Sequence, residues 1–261
     1  MKFQDKVIII TGASSGIGAE LARQLSKYDC RLALLARRES LLSQLENELK
    51  QHNNNVISIK CDVSDRQDVI AAIKTVINVF GKIDIAILNA GVNIRTRIGK
   101  FDSHAAEETF NVNVVGMTHF FEELIPKFRN SGGMFVGISS LADGRGFPLS
   151  GLYCSSKAAV TLFLESQRIE LKPLNIKVIT VKPGFIITPM TDSNKFKMPF
   201  LMDVKKAVKI ILKGIEKEKR TIQFPWQTVL GAKLLRILPD SIFDLIAEKH
   251  HRNILPKNMQ N

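Results

Sequence analysis

"KVIIITGASSGIG", Lys6 to Gly18, changes character at its midpoint. "KVIIIT" (6–11) is short, apolar and β-branched on consecutive positions, the pattern of a strand buried on both faces. "TGASSGIG" (11–18) then turns the chain and opens a helix. Gly12 permits the tight turn, Gly16 lets the backbone approach a pyrophosphate, and Gly18 allows close packing of helix on strand. Ser14, Ser15 and Ile17 complete the loop. The helix N-terminus behind it offers unpaired N–H groups and the positive end of a dipole to phosphate oxygens. A glycine-rich turn can be purely structural. Set between a strand and a helix, this one reads as a dinucleotide site.

The alternation continues outward. "RLALLA" (31–36), "VISI" (56–59), "IDIAIL" (83–88), "GMFVGIS" (133–139) and "IKVITV" (176–181) repeat the strand pattern. Helical candidates lie between them, near 17–28, 40–51, 66–80, 103–129 and 153–172. Strand and helix in succession predict an α/β fold: a doubly wound, Rossmann-type parallel sheet with right-handed crossovers and helices on both faces. No linker or repeat divides residues 1–190. Beyond Gly184, "DVKKAVKIILKGIEKEKR" (203–220) is a basic amphipathic helix and "TIQF" (221–224) a candidate last strand. Apolar residues at 226, 229, 230, 234, 237 and 238, then at 242, 243, 245 and 246, keep helical spacing across a break at Pro239. The expected organisation is a dinucleotide-binding and catalytic domain, 1–224, with a C-terminal amphipathic helical extension, 225–261.

Composition narrows the class. The 261 residues are 45% hydrophobic with a mean hydropathy near zero, which suits one soluble domain with a large core. Cys30, Cys61 and Cys154 are scattered, which argues for a reducing compartment and against a disulfide framework or a metal site. No secretory signal precedes the first strand, and no window carries the roughly 18 apolar residues of a membrane span. The expected location is cytoplasmic, with peripheral attachment to a membrane surface as the alternative. The formal charge is +12, and from Lys195 onward 14 Lys and Arg face 6 Asp and Glu, so +8 lies in the last quarter. A solvated lysine-rich face explains this, as does an anionic partner such as a phosphorylated small molecule or a lipid headgroup. Nucleic acid is not expected, because no binding motif or basic–aromatic interleaving accompanies the charge.

Two further short stretches carry chemistry. An NAD site places Asp or Glu at the end of the second strand, where it accepts hydrogen bonds from the ribose. Here "LLARRES" (34–40) has Arg37 and Arg38. Guanidinium groups bind a 2′-phosphate that a carboxylate would repel, so NADP(H) is expected over NAD(H); solvated arginines opening a helix are the alternative. In "LYCSSK" (152–157), a helix would put Tyr153 and Lys157 on one face. That spacing alone is common by chance.

"TGASSGIG", "CDVSD" (61–65), "LNAG" (88–91), "NVVG" (113–116), a serine pair thirteen and fourteen residues before Tyr153, "YCSSK" (153–157) and "PGFIITPM" (183–190) occur in order. As a set they resemble a short-chain dehydrogenase/reductase of the compact single-domain branch, over residues 6 to about 190. The resemblance implies a catalytic tetrad of Asn113, Ser140, Tyr153 and Lys157, with Ser140 preferred to Ser139 by its interval. It also places Asp62 and Val63 near the adenine, and Asn89, Ala90 and Gly91 along the cofactor. Pro183, Gly184, Ile186 and Thr188 match the segment that closes over the nicotinamide. By the same resemblance Lys157 holds the nicotinamide ribose, Asn113 supports a proton-relay water, and the protein is a dimer or tetramer.

The chemistry agrees with that assignment. Carbonyl reduction needs a proton donor, and a free tyrosine, with a pKa of about 10, is a poor one at neutral pH. A cation about 4 Å away at an effective dielectric of roughly 20 contributes about 4 kcal/mol, enough to draw Tyr153 towards 7 unless burial opposes it. Ser140 would hydrogen-bond the substrate oxygen. Leu141, Phe147, Phe185 and Met190, together with Met198 and Phe200, predict an apolar pocket for a lipid-like, steroid-like or aromatic carbonyl. Lys195 and Lys197 beside it would accept an acidic group. The C-terminal helices cover the core or a partner subunit, rest on a membrane, or form a disordered tail. Rival functions are a non-catalytic NADP(H)-binding sensor, a membrane-surface interaction protein, and a dehydratase or epimerase; the complete tetrad favours redox work.

Overall fold

The computed structural model describes residues 3–96, 99–192 and 198–252. The apolar runs form β1 (Val7–Thr11), β2 (Arg31–Ala36), β3 (Val56–Lys60), β4 (Ile85–Leu88), β5 (Gly133–Ile138), β6 (Ile176–Pro183) and β7 (Thr221–Phe224). All pair in parallel in one sheet of order β3-β2-β1-β4-β5-β6-β7. The helices are α1 (Gly16–Leu25), α2 (Glu39–Lys50), α3 (Arg66–Phe80), α4 (Ser103–Phe110), α5 (Gly116–Ser131), α6 (Gly151–Glu170), α7 (Pro189–Asp192), α8 (Val204–Glu216), α9 (Trp226–Ile237) and α10 (Asp240–Arg252).

Period-two alternation within the strands divides the core into two layers. Ile8 and Ile10 of β1 pack with α1, α2 and α8, whereas Val7 and Ile9 pack with α3, α5 and α6. Each fully buried Ile or Val contributes about 1.5–3 kcal/mol of transfer free energy, and β1 is buried throughout. This is the doubly wound arrangement expected from the strand–helix alternation. After β3 the chain returns to place β4 on the other side of β1, so the strand order reverses there. The carboxyl ends of β1 and β4 flank this switch point, the place where α/β sheets bind ligands.

The long helix expected over 103–129 is interrupted. Between α4 and α5, residues Asn111–Val115 form a π-helical turn, and Asn113 lies in it, 1% exposed. Such turns insert one residue into an α-helix. At the other end of the chain, α9 and α10 follow β7 without returning to the sheet. Trp226, Leu230, Leu234 and Ile237 recur on one face of α9, each more than half exposed. Ile242, Leu245 and Ile246 are exposed on α10, while Phe243 turns inward. Among the described residues, no helix is long and apolar enough to cross a membrane.

Candidate active site

The glycine loop and the turn after β4 are tied together at the switch point. The Thr11 hydroxyl accepts from the Asn89 and Ala90 amides at 2.9 and 3.0 Å. The Asn89 side-chain amide donates to the Thr11 and Gly12 carbonyls at 3.0 and 3.3 Å. Gly12, at φ +63°, allows this approach: a Cβ there would lie 2.9 Å from the Ala90 Cα. Gly18 is still tighter, since its Cβ would come within 2.4 Å of the Gly12 carbonyl oxygen. Thr188 reaches back from beyond β6, with its methyl 3.2 Å from where a Gly16 Cβ would stand.

The donor set at this loop fits a dinucleotide. Ser15 stands at the N-cap of α1, but its side chain does not cap the helix, and the first turn has no acidic residue. Its first amides thus keep no side-chain acceptor, unlike those of α3 and α8, which Asp65 and Asp203 cap. Arg38 lies across the loop: its Nη2 donates to the Ser14 and Ser15 hydroxyls at 2.9 and 2.6 Å, and its Nε to Ser14 at 3.2 Å. Arg37 goes elsewhere, to within 3.8 Å of Asp62 and 3.9 Å of Glu108. Only one of the two arginines therefore reaches the glycine loop. Asp62 is fixed by the Ser64 amide and hydroxyl at 3.0 and 2.6 Å. Val63 is buried against Gly116, which has no room for a Cβ.

Two residues of the expected tetrad, Asn113 and Lys157, meet at the next turn. Asn113 clamps it, accepting from the Val92 amide at 2.8 Å and donating to the Val92 carbonyl at 2.9 Å. The same amide group donates to the Ser156 hydroxyl at 2.9 Å, which joins α6 to the π turn. A Cβ on Gly91 would lie 3.2 Å from Asn113 Oδ1 and 3.3 Å from Lys157 Nζ, so the turn passes directly over both. Lys157, 4% exposed, donates to the Ile138 carbonyl at 2.9 Å and stands 5.8 Å from the centre of the Tyr153 ring. The two serines separate. Ser139 is buried, bonding the Lys157 carbonyl at 2.9 Å and Thr161 at 2.7 Å. Ser140 caps the turn that follows, accepting from the Ala142 amide at 3.1 Å, and its hydroxyl lies near enough to Tyr153 to bear on the protonation of the phenol.

Burial governs the protonation of this group. It raises Tyr153 above its ordinary value, and the nearby Ser140 hydroxyl opposes the rise. Lys157 is pulled down to about 8, because its ammonium is removed from water. The expectation that Lys157 draws Tyr153 towards 7 is thus not what the geometry gives. Desolvation outweighs the attraction, and a cation above the ring face stabilises the phenolate less than one at the oxygen. The thiols stay protonated: burial pushes Cys30 and Cys61 up to about 12 and raises Cys154 as well.

Other expected residues scatter. Pro183 ends β6, and the Gly184 amide bonds the Phe224 carbonyl at 2.8 Å. Ile186 is buried and bridges to Met202, and the Phe185 carbonyl accepts from the Met202 amide at 2.9 Å. Leu141 directly follows Ser140, and Phe147 meets Phe243 of α10 edge to face at 6.0 Å. Met190 and Phe200 are exposed. Lys195 and Lys197 lie outside the described residues.

Sequence reasoning missed a buried ion pair behind the serines: Lys182 Nζ lies 2.6 Å from Asp143, which also accepts from Thr161 at 2.6 Å. Lys182, which continues the apolar end of the expected strand up to Pro183, was the available signal. No group of His, Cys, Asp or Glu among the described residues could hold a metal.

Fold, switch-point loops and tyrosine–lysine helix together define a dinucleotide-dependent oxidoreductase. The short chain dehydrogenase family matches residues 6–198, and the chain belongs to that family. An uncharacterized oxidoreductase of Myxococcus xanthus is 31% identical over 245 residues, 94% of this chain and 97% of that protein. 11-beta-hydroxysteroid dehydrogenase-like 3 of Arabidopsis thaliana is 37% identical over 227 residues, covering 84% of this chain and 73% of that one. Among solved structures, a short chain dehydrogenase/reductase from Burkholderia phymatum in complex with NAD has the same fold. It superposes with a TM-score of 0.83 at 22% identity, covering 90% of this chain and 94% of that one.

Proposed function

We propose that the protein is an NADP(H)-dependent oxidoreductase interconverting a carbonyl and a secondary alcohol on an apolar small molecule, with Tyr153 as general acid and base. The observation that carries this reading is the buried Lys157, which stands against the Gly91 turn and 5.8 Å from the centre of the Tyr153 ring. Bound cofactor supplies the hydride equivalent. Ser140 orients the substrate oxygen toward the Tyr153 hydroxyl, which gives it a proton or takes one back. Lys157 holds the nicotinamide ribose, and Asn113 keeps the turn beneath it in place. Gly12, Ser14, Ser15, Gly16, Ile17 and Gly18 cradle the pyrophosphate, with Asp62 and Val63 at the adenine. Asn89, Ala90, Pro183, Gly184, Ile186 and Thr188 line the remainder.

Preference for the 2′-phosphate rests on Arg38, whose guanidinium lies on two loop hydroxyls. The fold itself does not select the phosphate, since the Burkholderia phymatum relative holds NAD. An apolar substrate is favoured by Leu141 and Phe147 beside the Ser140 turn and by the name of the Arabidopsis relative. The test is a panel of ketones and alcohols with NADPH and NADH, run on wild type and Tyr153→Phe. The variant keeps cofactor affinity within about twofold and loses roughly 10²–10⁴ in turnover, the usual contribution of a positioned acid or base. Undiminished turnover refutes the assignment.

A peripheral contact between residues 225–261 and a membrane is a second part of this reading. The outward apolar face of α9 and α10 favours it, as does the basic C-terminal quarter. Co-sedimentation with anionic liposomes is expected for wild type and lost in Leu230→Glu/Ile237→Glu. Equal behaviour removes the membrane and leaves a second copy of the chain, in a cytoplasmic homo-oligomer, as the cover.

A further inference from the structure

Gly144 and Gly146 bracket Arg145 in the segment that follows the Ser140 turn. Backbone this permissive takes its position from the side chains that pin it. On the inner side the pin is Asp143, held by Lys182 and Thr161. On the outer side it is Arg145, whose guanidinium meets the junction of α9 and α10. Its Nε donates to the Leu235 carbonyl at 3.0 Å, its Nη2 to the Leu238 carbonyl, and its Nη1 to Asp240 Oδ1 at 2.6 Å. The same group lies 4.9 Å from the centre of the Phe243 ring, and Phe243 meets Phe147.

The chemistry of this junction suits arginine and little else. The last turn of a helix exposes unpaired carbonyls and the negative end of its dipole, so a cation is matched there twice. A rigid fork reaches three acceptors while its face rests on an aromatic ring, which a single ammonium cannot do. Position matters as much as chemistry. Arg145 is five residues from Ser140, and the intervening chain is one capped turn and a glycine. Gly144 itself packs on α9, where its Cβ would come 3.7 Å from Arg236 Cδ.

We propose that Arg145 is a positioning residue. It couples the seating of α9 and α10 to the turn that carries Ser140, and through the Phe243–Phe147 pair to the substrate side of the site. The catalytic consequence rests on the reductase reading above; the mechanical coupling does not.

The test compares wild type, Arg145→Gln, Arg145→Lys and the milder Asp240→Asn, all as full chains. Hydrogen exchange is followed in the free protein, and turnover with NADPH and a ketone accepted by wild type. Arg145→Gln is expected to speed exchange about tenfold or more in both 229–249 and 141–147. It lowers kcat about tenfold, with NADPH Kd within twofold of wild type. Arg145→Lys resembles Arg145→Gln, and Asp240→Asn follows the same pattern at smaller amplitude. Faster exchange confined to α9 and α10, with 141–147 and kcat unchanged, overturns the proposal. So does a parallel loss of NADPH affinity and kcat, which marks general loosening. If wild type reduces no carbonyl, the reductase reading fails, and exchange alone decides the coupling: joint loosening upholds it and separate loosening overturns it.

Discussion

Lys157 is a buried cation with no carboxylate partner among the described residues, and replacing it should change how stability depends on pH. An ordinary lysine titrates at 10.5, and burial brings this one to about 8, a difference worth about 3 kcal/mol. Below pH 8 both folded and unfolded chains carry the proton, and the folded state bears the full desolvation penalty. Between about 8 and 10.5 the folded chain has released the proton while the unfolded chain keeps it, so stability rises with pH. Above 10.5 both forms are neutral and the penalty is gone. Lys157→Met has no such step. It leaves the Ile138 carbonyl without its donor, a loss of about 1–3 kcal/mol, but that loss does not vary with pH. The assay is urea unfolding of cofactor-free wild type and variant from pH 7 to 10.5. The other lysines titrate in both proteins and cancel. Wild type should gain about 3 kcal/mol on the variant across the interval, about 1 M in midpoint at a slope near 3 kcal/mol per M. Parallel curves would refute the account of a charged, desolvated Lys157.

Other outcomes follow from the same geometry. Arg38→Ala should weaken NADPH binding about 10- to 150-fold, the equivalent of one charge-assisted hydrogen bond or more, and leave NADH unchanged by calorimetry. Asp143→Ala strands the buried Lys182 ammonium and should destabilise the fold by about 3–5 kcal/mol in thermal or urea unfolding. Gly12→Ala forces a side chain into a left-handed backbone position 2.9 Å from Ala90 and should abolish cofactor binding even where the protein folds; retained affinity contradicts the loop crossing described above.

The parts of the molecule that depend on local pattern were readable in the sequence. Consecutive apolar residues, Val and Ile in β1 and Leu and Ala in β2, mark those strands because parallel strands are covered on both faces. Tyr153 and Lys157 were readable as a pair because both lie on α6, four residues apart on one face. What lay hidden depends on long side chains crossing between elements. Nothing in "ARRES" distinguishes Arg37, drawn to Asp62 and Glu108, from Arg38 on the glycine loop. Arg145 reads as one more surface cation until α9 and α10 are seen to end against it. The expected fall in the Tyr153 pKa failed for a related reason: spacing gives proximity to Lys157, whereas desolvation depends on everything packed around the pair.

The π turn at Asn111–Val115 has a consequence for helical phase. Buried Ala105 and Thr109 define the inward side of α4, and Met117, Phe120, Phe121, Leu124 and Phe128 that of α5. Counted at 100° per residue as one uninterrupted helix, the centres of those two sides would point about 95° apart. The extra residue absorbs that difference and brings both onto one side of the helix. The bulge therefore acts as a phase corrector, and the residue it holds at the bend is Asn113. Deleting one residue from the turn would shorten the helix by little. It would rotate a row of phenylalanines off the core, or Asn113 off the turn it clamps.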